Sequence, residues 1–133
     1  MECIFCRIVA GRIPCHKLYE SDKILAFLDI NPLSLGHALI IPKQHAAKLT
    51  EVSDDALQEM LPVAKKIAKA LNVPEFNVLQ NNGKMAHQEI EHVHLHVIPK
   101  RNINEGLGIR WDKIGVSNEQ LTSLANELKS KIN

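Results

Sequence analysis

His92-Val93-His94-Leu95-His96-Val97-Ile98 is the stretch on which the reading of this chain turns. Side chains of an extended segment alternate faces, so the spacing predicts His92, His94 and His96 on one side and Val93, Leu95 and Val97 on the other. The strand then has an apolar back and an imidazole-lined front. Successive histidines on that front stand roughly 7 Å apart at the backbone, near enough to share one ligand or relay hydrogen bonds. The ordinary pKa of histidine lies close to neutrality, so three in register can divide the roles of nucleophile, acid and base. Two other readings fit the same pattern: histidines that merely face water on a half-exposed strand, and chelation of a metal. Strict alternation between Gln88 and Pro99 disfavours the first, and chelation is the serious rival.

Working outward, Phe5 to Ala10 followed by Gly11 suits a short helix closed by a left-handed glycine. Lys17 to Glu20 and Ile24 to Asp29, joined by Ser21-Asp22-Lys23, predict a hairpin, and His37 to Ile41 predicts a buried strand that Pro42 stops. Leu57, Met60, Leu61, Ala64, Ile67, Ala68 and Leu71 recur at helical spacing; Ser53 caps this long helix and Pro62 is expected to bend it. Phe76 to Leu79 and Val93 to Ile98 predict two more strands around the turn-rich Asn81-Asn82-Gly83. Ser117 and Gln120 form a capping box for a terminal helix carrying Leu121, Leu124, Ala125, Leu128 and Ile132. These elements predict an α+β fold: a mainly antiparallel, five-stranded sheet, one long helix and a C-terminal helix.

With 133 residues and 45% hydrophobic content, the chain predicts a single domain over 1–133, its core at about 3–100 and a helical extension at 101–133. Sixteen Lys plus Arg against 15 Asp plus Glu, with neither sign in a block, argue against nucleic-acid and membrane-surface partners. No apolar stretch approaches the roughly 20 residues that span a bilayer, and the Met1-Glu2-Cys3 start lacks the pattern of an export signal. The expected location is the cytoplasm, with the nucleus left open. Three cysteines in a reducing compartment point away from structural disulfides. The Cys3-Ile4-Phe5-Cys6 spacing lets both sulfurs grip one zinc ion, and His45 and His92 could complete a tetrahedral site. Two reduced, buried cysteines or a redox pair are the alternatives.

The run His92 to Ile98 resembles the His-x-His-x-His signature of the histidine triad superfamily. Asp29-Ile30-Asn31-Pro32, His37-Ala38-Leu39-Ile40-Ile41-Pro42-Lys43 and Asn81-Asn82-Gly83 follow the order and approximate spacing of its Hint branch, over about Cys3 to Lys100. The resemblance implies a hydrolase that cleaves purine nucleoside 5'-monophosphoramidates through a covalent nucleotidyl-histidine. It implies His94 as nucleophile, His96 beside the phosphate and leaving atom, and His37 and His92 in support. It further implies Asp29 at the ribose and Asn81 and Gln88 at the phosphate. Ile4, Phe5, Phe27, Ile30 and Leu39 would form the slot for the base. Glu89 stands where some Hint proteins have a small hydroxyl residue, a change expected to alter phosphate contacts and leaving-group preference. Similar proteins also carry a zinc site built from a cysteine pair, a histidine at the position of His45 and the first triad histidine; they pair as homodimers, and some bring a tryptophan, here Trp111, to the partner's site. No cofactor is expected for catalysis itself. The competing functions are a dinucleoside polyphosphate hydrolase of the Fhit type, a nucleotide- or protein-binding module without turnover, and a metal-dependent hydrolase.

Overall fold

A computed structural model describes residues 3–132; the Met1-Glu2 start and Asn133 lie outside them. Five strands, β1 (Lys17–Glu20), β2 (Ile24–Leu28), β3 (Ala38–Pro42), β4 (Phe76–Gln80) and β5 (Leu95–Pro99), form one sheet in the order β1-β2-β3-β5-β4, every pairing antiparallel. Helix α1 (Ile4–Val9) covers part of one face and the long helix α2 (Asp54–Leu71) covers the other, with α3 (Asn118–Ile132) at the end of the chain. The fold is the predicted α+β arrangement. Among the described residues no helix is long and apolar enough to cross a membrane.

Alternation in β2 and β3 builds two separate cores. Ile24, Ala26, Ala38 and Ile40 pack towards Met60, Val63, Ala64 and Ile67 of α2. Their neighbours Leu25, Phe27, Leu39 and Ile41 meet Phe5 of α1 on the opposite face. The front of the sheet is therefore apolar as well as imidazole-lined, which explains the unbroken hydrophobic runs of these two strands. Ser53 caps α2 as expected, its hydroxyl accepting the Ala56 N–H, and the helix continues through Pro62, which faces solvent. The buried stripe of α2 is rotated from the predicted one. Val63 lies inside, whereas Leu61 is exposed in a groove beside Phe76 and Val78 of β4.

Two boundaries matter for chemistry. The strand predicted from Val93 begins only at Leu95, because Val93 N–H pairs with the Ala46 carbonyl and His92 N–H with that of Ile90, away from the ladder. His92 and His94 therefore precede β5. His37 likewise precedes β3, following Gly36, whose φ of +97° favours glycine and where a Cβ would stand 2.6 Å from the tip of the Leu71 side chain. At the other end of β3, Pro42 is the last paired residue and keeps its carbonyl free for a side chain. The Ser117–Gln120 capping box of α3 is formed in both directions, yet no residue of this helix is buried.

Candidate active site and metal centre

The three alternating histidines serve two neighbouring clusters. His92, fully buried, turns its ring to Cys3, Cys6 and His45; His94 and His96 turn theirs to a cavity in front of the sheet, where His37 joins them. Ring centroids lie 4.8 Å apart for His94 and His96 and 5.2 Å apart for His37 and His96.

Backbone partners fix where each ring proton resides. A carbonyl can only accept, so the 2.7 Å contact between His94 Nδ1 and the His92 carbonyl places the proton on Nδ1 and leaves Nε2 with a bare lone pair. A backbone N–H can only donate, and Leu33 N–H reaches His37 Nδ1 at 3.1 Å. The His37 proton is then on Nε2, which donates to His96 Nδ1 at 2.9 Å and leaves the His96 proton on Nε2. One ring thus presents a lone pair and its neighbour an N–H. Burial, the largest influence in each case, pushes the pKa values of His37, His92 and His94 below the usual histidine value. Burial followed by the nearby His94 and His37 pushes His96 down to about 4. These rings are neutral at neutral pH, the state in which imidazole nitrogen is a nucleophile.

The front cavity has two lobes sharing Asp29, Asn31, Glu89, His94 and His96. One, of about 390 Å³, includes His37, Asn81 and Arg110 and is bounded by Leu107, Gly108 and Ile109 from the start of the C-terminal extension. The other, of about 230 Å³, is apolar, and Ile4, Phe5, Phe27, Ile30 and Leu39 all line it. Phe5 meets His94 edge-on at 5.1 Å. Asp29 accepts the Asn31 N–H at 2.8 Å through one oxygen and stands 3.6 Å from His37 Nε2 with the other. Asn81 reaches the His87 carbonyl at 3.3 Å, and Glu89 is exposed at the junction of the lobes.

Gln88 departs from the predicted arrangement. It is buried, its amide donates to the Ala47 carbonyl at 2.7 Å and accepts the Gly83 N–H at 2.7 Å, so both ends are spent on loop backbone and neither faces the cavity. Sequence reasoning also missed Ile8, Ile13, Pro14, Cys15 and Ile90 in the apolar lobe and Arg110 in the polar one. The Ile13-Pro14 pair, where the chain leaves the first helix, was the available signal that it returns across this lobe. Trp111 is 75% exposed.

In the second cluster the donor atoms of Cys3, Cys6, His45 and His92 all lie within 4.8 Å of one another, a group able to hold a metal ion. His92 Nδ1 is 3.3 and 3.6 Å from the two sulfurs and 3.2 Å from His45 Nδ1. His45 Nδ1 is 3.6 and 3.3 Å from the same sulfurs. His92 Nε2–H donates to the Pro42 carbonyl at 2.8 Å, leaving Nδ1 able only to accept or to ligate.

A profile described as the HIT domain matches residues 10–103. The chain is 54% identical over 132 residues to adenosine 5'-monophosphoramidase hnt1 of Schizosaccharomyces pombe, covering 99% of each chain. It is 49% identical to adenosine 5'-monophosphoramidase HNT1 of Saccharomyces cerevisiae, covering 98% of this chain and 82% of that one. Among solved structures, a histidine triad nucleotide-binding protein from Candida albicans superposes with a TM-score of 0.91 at 47% identity, over 98% of this chain and 97% of the other.

Proposed function

Because this chain belongs to the HIT domain family, we propose that it hydrolyses the P–N bond of purine nucleoside 5'-monophosphoramidates, releasing the mononucleotide and an amine. The observation that carries the reading is the opposed proton polarity of the two adjacent rings, a lone pair on His94 Nε2 beside an N–H on His96 Nε2. Two relatives that align with nearly the whole of this chain bear the name adenosine 5'-monophosphoramidase, which supports the choice of substrate.

In the proposed reaction, His94 Nε2 attacks phosphorus and forms a P–N bond to the ring while Nδ1 keeps its proton, donated in a hydrogen bond to the His92 carbonyl. The bond to the amine breaks. The departing nitrogen, hydrogen-bonded to His96 Nε2, takes a proton from water in the open cavity. The hydroxyl of that water goes to phosphorus as the bond to His94 breaks, so one water is divided between the two products. His37 keeps His96 oriented as donor. Phe5, Phe27, Ile30, Leu39 and Ile4 hold the purine in the apolar lobe, Asp29 takes the ribose hydroxyls, and Asn81 and Glu89 flank the phosphate and leaving group. Gln88 acts by fixing the loop that carries Glu89.

The reading extends to cofactor, assembly and location. A tetrahedral zinc ion with bonds of roughly 2.3 Å to sulfur and 2.0–2.1 Å to nitrogen sets N···N and S···N edges of about 3.3–3.6 Å. The cluster distances of 3.2–3.6 Å fit that geometry, and two thiolates with two imidazoles are a zinc donor set. Cys3, Cys6, His45 and His92 would hold the ion and link α1 to the loops after β3 and before β5. The chain acts as one domain with its extension at 101–133. The exposed edge of β4 and the groove formed by Leu61, Phe76 and Val78 support a homodimer, with Trp111 free to reach the partner's cavity. Cysteines that form no disulfide fit a reducing compartment, the cytoplasm or nucleus.

Presenting the protein with an adenylated amine and, separately, with a diadenosine polyphosphate tests the reading. The expected result is a higher kcat/KM for the amine; the reverse ranking replaces it with a dinucleoside polyphosphate hydrolase.

A further inference from the structure

We infer that the Cys3, Cys6, His45 and His92 cluster is a positioning element for the nucleophile: through His92, a divalent metal held there determines which way the free lone pair of His94 faces. The inference rests on the proposed role of His94. His92 is held at three points. Its Nδ1 faces the two sulfurs and His45 at 3.2–3.6 Å, its Nε2 donates to the Pro42 carbonyl at 2.8 Å, and its backbone carbonyl accepts the His94 Nδ1 proton at 2.7 Å. The residue that ligates on one side is therefore the residue whose carbonyl selects the His94 tautomer on the other.

A second path runs through α1. Cys3 caps this helix, its sulfur accepting the Cys6 N–H at 3.1 Å, and Phe5 between the two cysteines packs edge-on against His92 at 5.8 Å and His94 at 5.1 Å. Six residues are too few for a helix to persist in water unaided. Its anchors are Phe5 in the core and the two sulfurs in the cluster. Releasing the sulfurs loosens the aromatic wall behind His94 at the same time as the His92 ring comes free. Both paths predict that an empty cluster lets the His94 ring rotate or exchange its proton between nitrogens, so that the lone pair no longer faces the cavity.

The experiment compares full-length protein loaded with Zn²⁺ against the same protein stripped by a chelator, reading the His94 ring nitrogens by ¹⁵N NMR beside the kinetics. Loaded protein is expected to show one His94 tautomer, protonated at Nδ1. Stripped protein is expected to show a mixture of tautomers and a kcat lower by about 10–100-fold, the usual loss when a group supporting a metal or reacting site is removed, with KM little changed. His92→Cys, which keeps a zinc ligand and the backbone carbonyl, should recover the single tautomer and most of the kcat that His92→Ala loses. A stripped protein that retains one His94 tautomer and full kcat overturns the inference, as does His92→Cys proving as defective as His92→Ala. If the loaded protein turns over no phosphoramidate while the His94 tautomer still follows zinc, the reading of function fails and the coupling stands.

Discussion

His92 and His94 are two residues apart, and each gives one ring proton to a backbone carbonyl, but they give it from opposite nitrogens. His92 spends Nε2 on Pro42 and keeps the Nδ1 lone pair for the sulfur cluster. His94 spends Nδ1 on His92 and keeps the Nε2 lone pair for the cavity. In His96 the proton lies on Nε2, because its Nδ1 accepts the hydrogen bond that His37 Nε2 donates. Three identical side chains in one short segment are thus fitted for the proposed roles of ligand, nucleophile and donor: backbone carbonyls set His92 and His94, and the His37 ring, itself fixed by the Leu33 amide, sets His96. Ring chemistry supplies the capacity and the neighbours select among its uses.

The sharpest way to break this comparison is to delete the ring given the nucleophile's role. His94→Ala is expected to lower kcat for nucleotide release by about 10³-fold or more while nucleotide still binds, as calorimetry would register. Release at near-parental rate by that variant moves the nucleophile elsewhere. The sulfur cluster should instead answer in stability. Cys6→Ala opens the four-donor set and is expected to lower the thermal midpoint by roughly 10 °C, measured by dichroism on metal-loaded protein. An unchanged midpoint would mean that the cluster carries no metal. A subtler division separates His37→Ala from His37→Gln. The alanine loses the donor to His96 and is expected to cost about 10–100-fold in kcat, whereas the glutamine amide can still donate and should recover part of it.

The smallest effect is in pH dependence. His96 titrates at about 4 in the fold, against 6.5 for an unperturbed histidine. Between those values the unfolded chain binds the proton that the folded chain refuses, so the contribution of His96 to stability is intact above 6.5 and falls as pH drops towards 4. His37, His92 and His94 are shifted in the same direction. Urea midpoints measured at pH 7 and pH 5 should therefore fall less in His96→Asn than in the parent; equal falls would contradict the buried, neutral state of this ring.

Much of the layout was legible in sequence because it follows from periodicity and capping. The β1–β2 hairpin, Ser53 ahead of α2 and the reciprocal Ser117–Gln120 box each follow from residue type and spacing, and each is present. The pairing of His45 and His92 with the cysteine pair was legible through the resemblance to the histidine triad family and not through spacing, since they lie 42 and 89 residues from Cys3. Proton placement was not legible. It depends on the Pro42 carbonyl, the His92 carbonyl and the Leu33 amide, groups that every residue or nearly every residue possesses and that only tertiary placement distinguishes. Gln88 shows the converse: its type suggested a phosphate donor, but burial between Gly83 and Ala47 spends both ends of its amide. Alternation also oversold the strand, since it placed His92 and His94 on a ladder that local backbone pairing delays until Leu95.

Gly36 carries a consequence across the sheet. It leaves room for Leu71, the last residue of the long helix on the far layer, directly before the histidine that feeds the proton chain on the near one. A methyl group at this position would push the tip of Leu71 aside and strain the +97° φ that leads into His37, so the side chain and the turn would have to adjust together. The clearance between two layers that share no reactant is therefore one of the tolerances to which the chemistry is built.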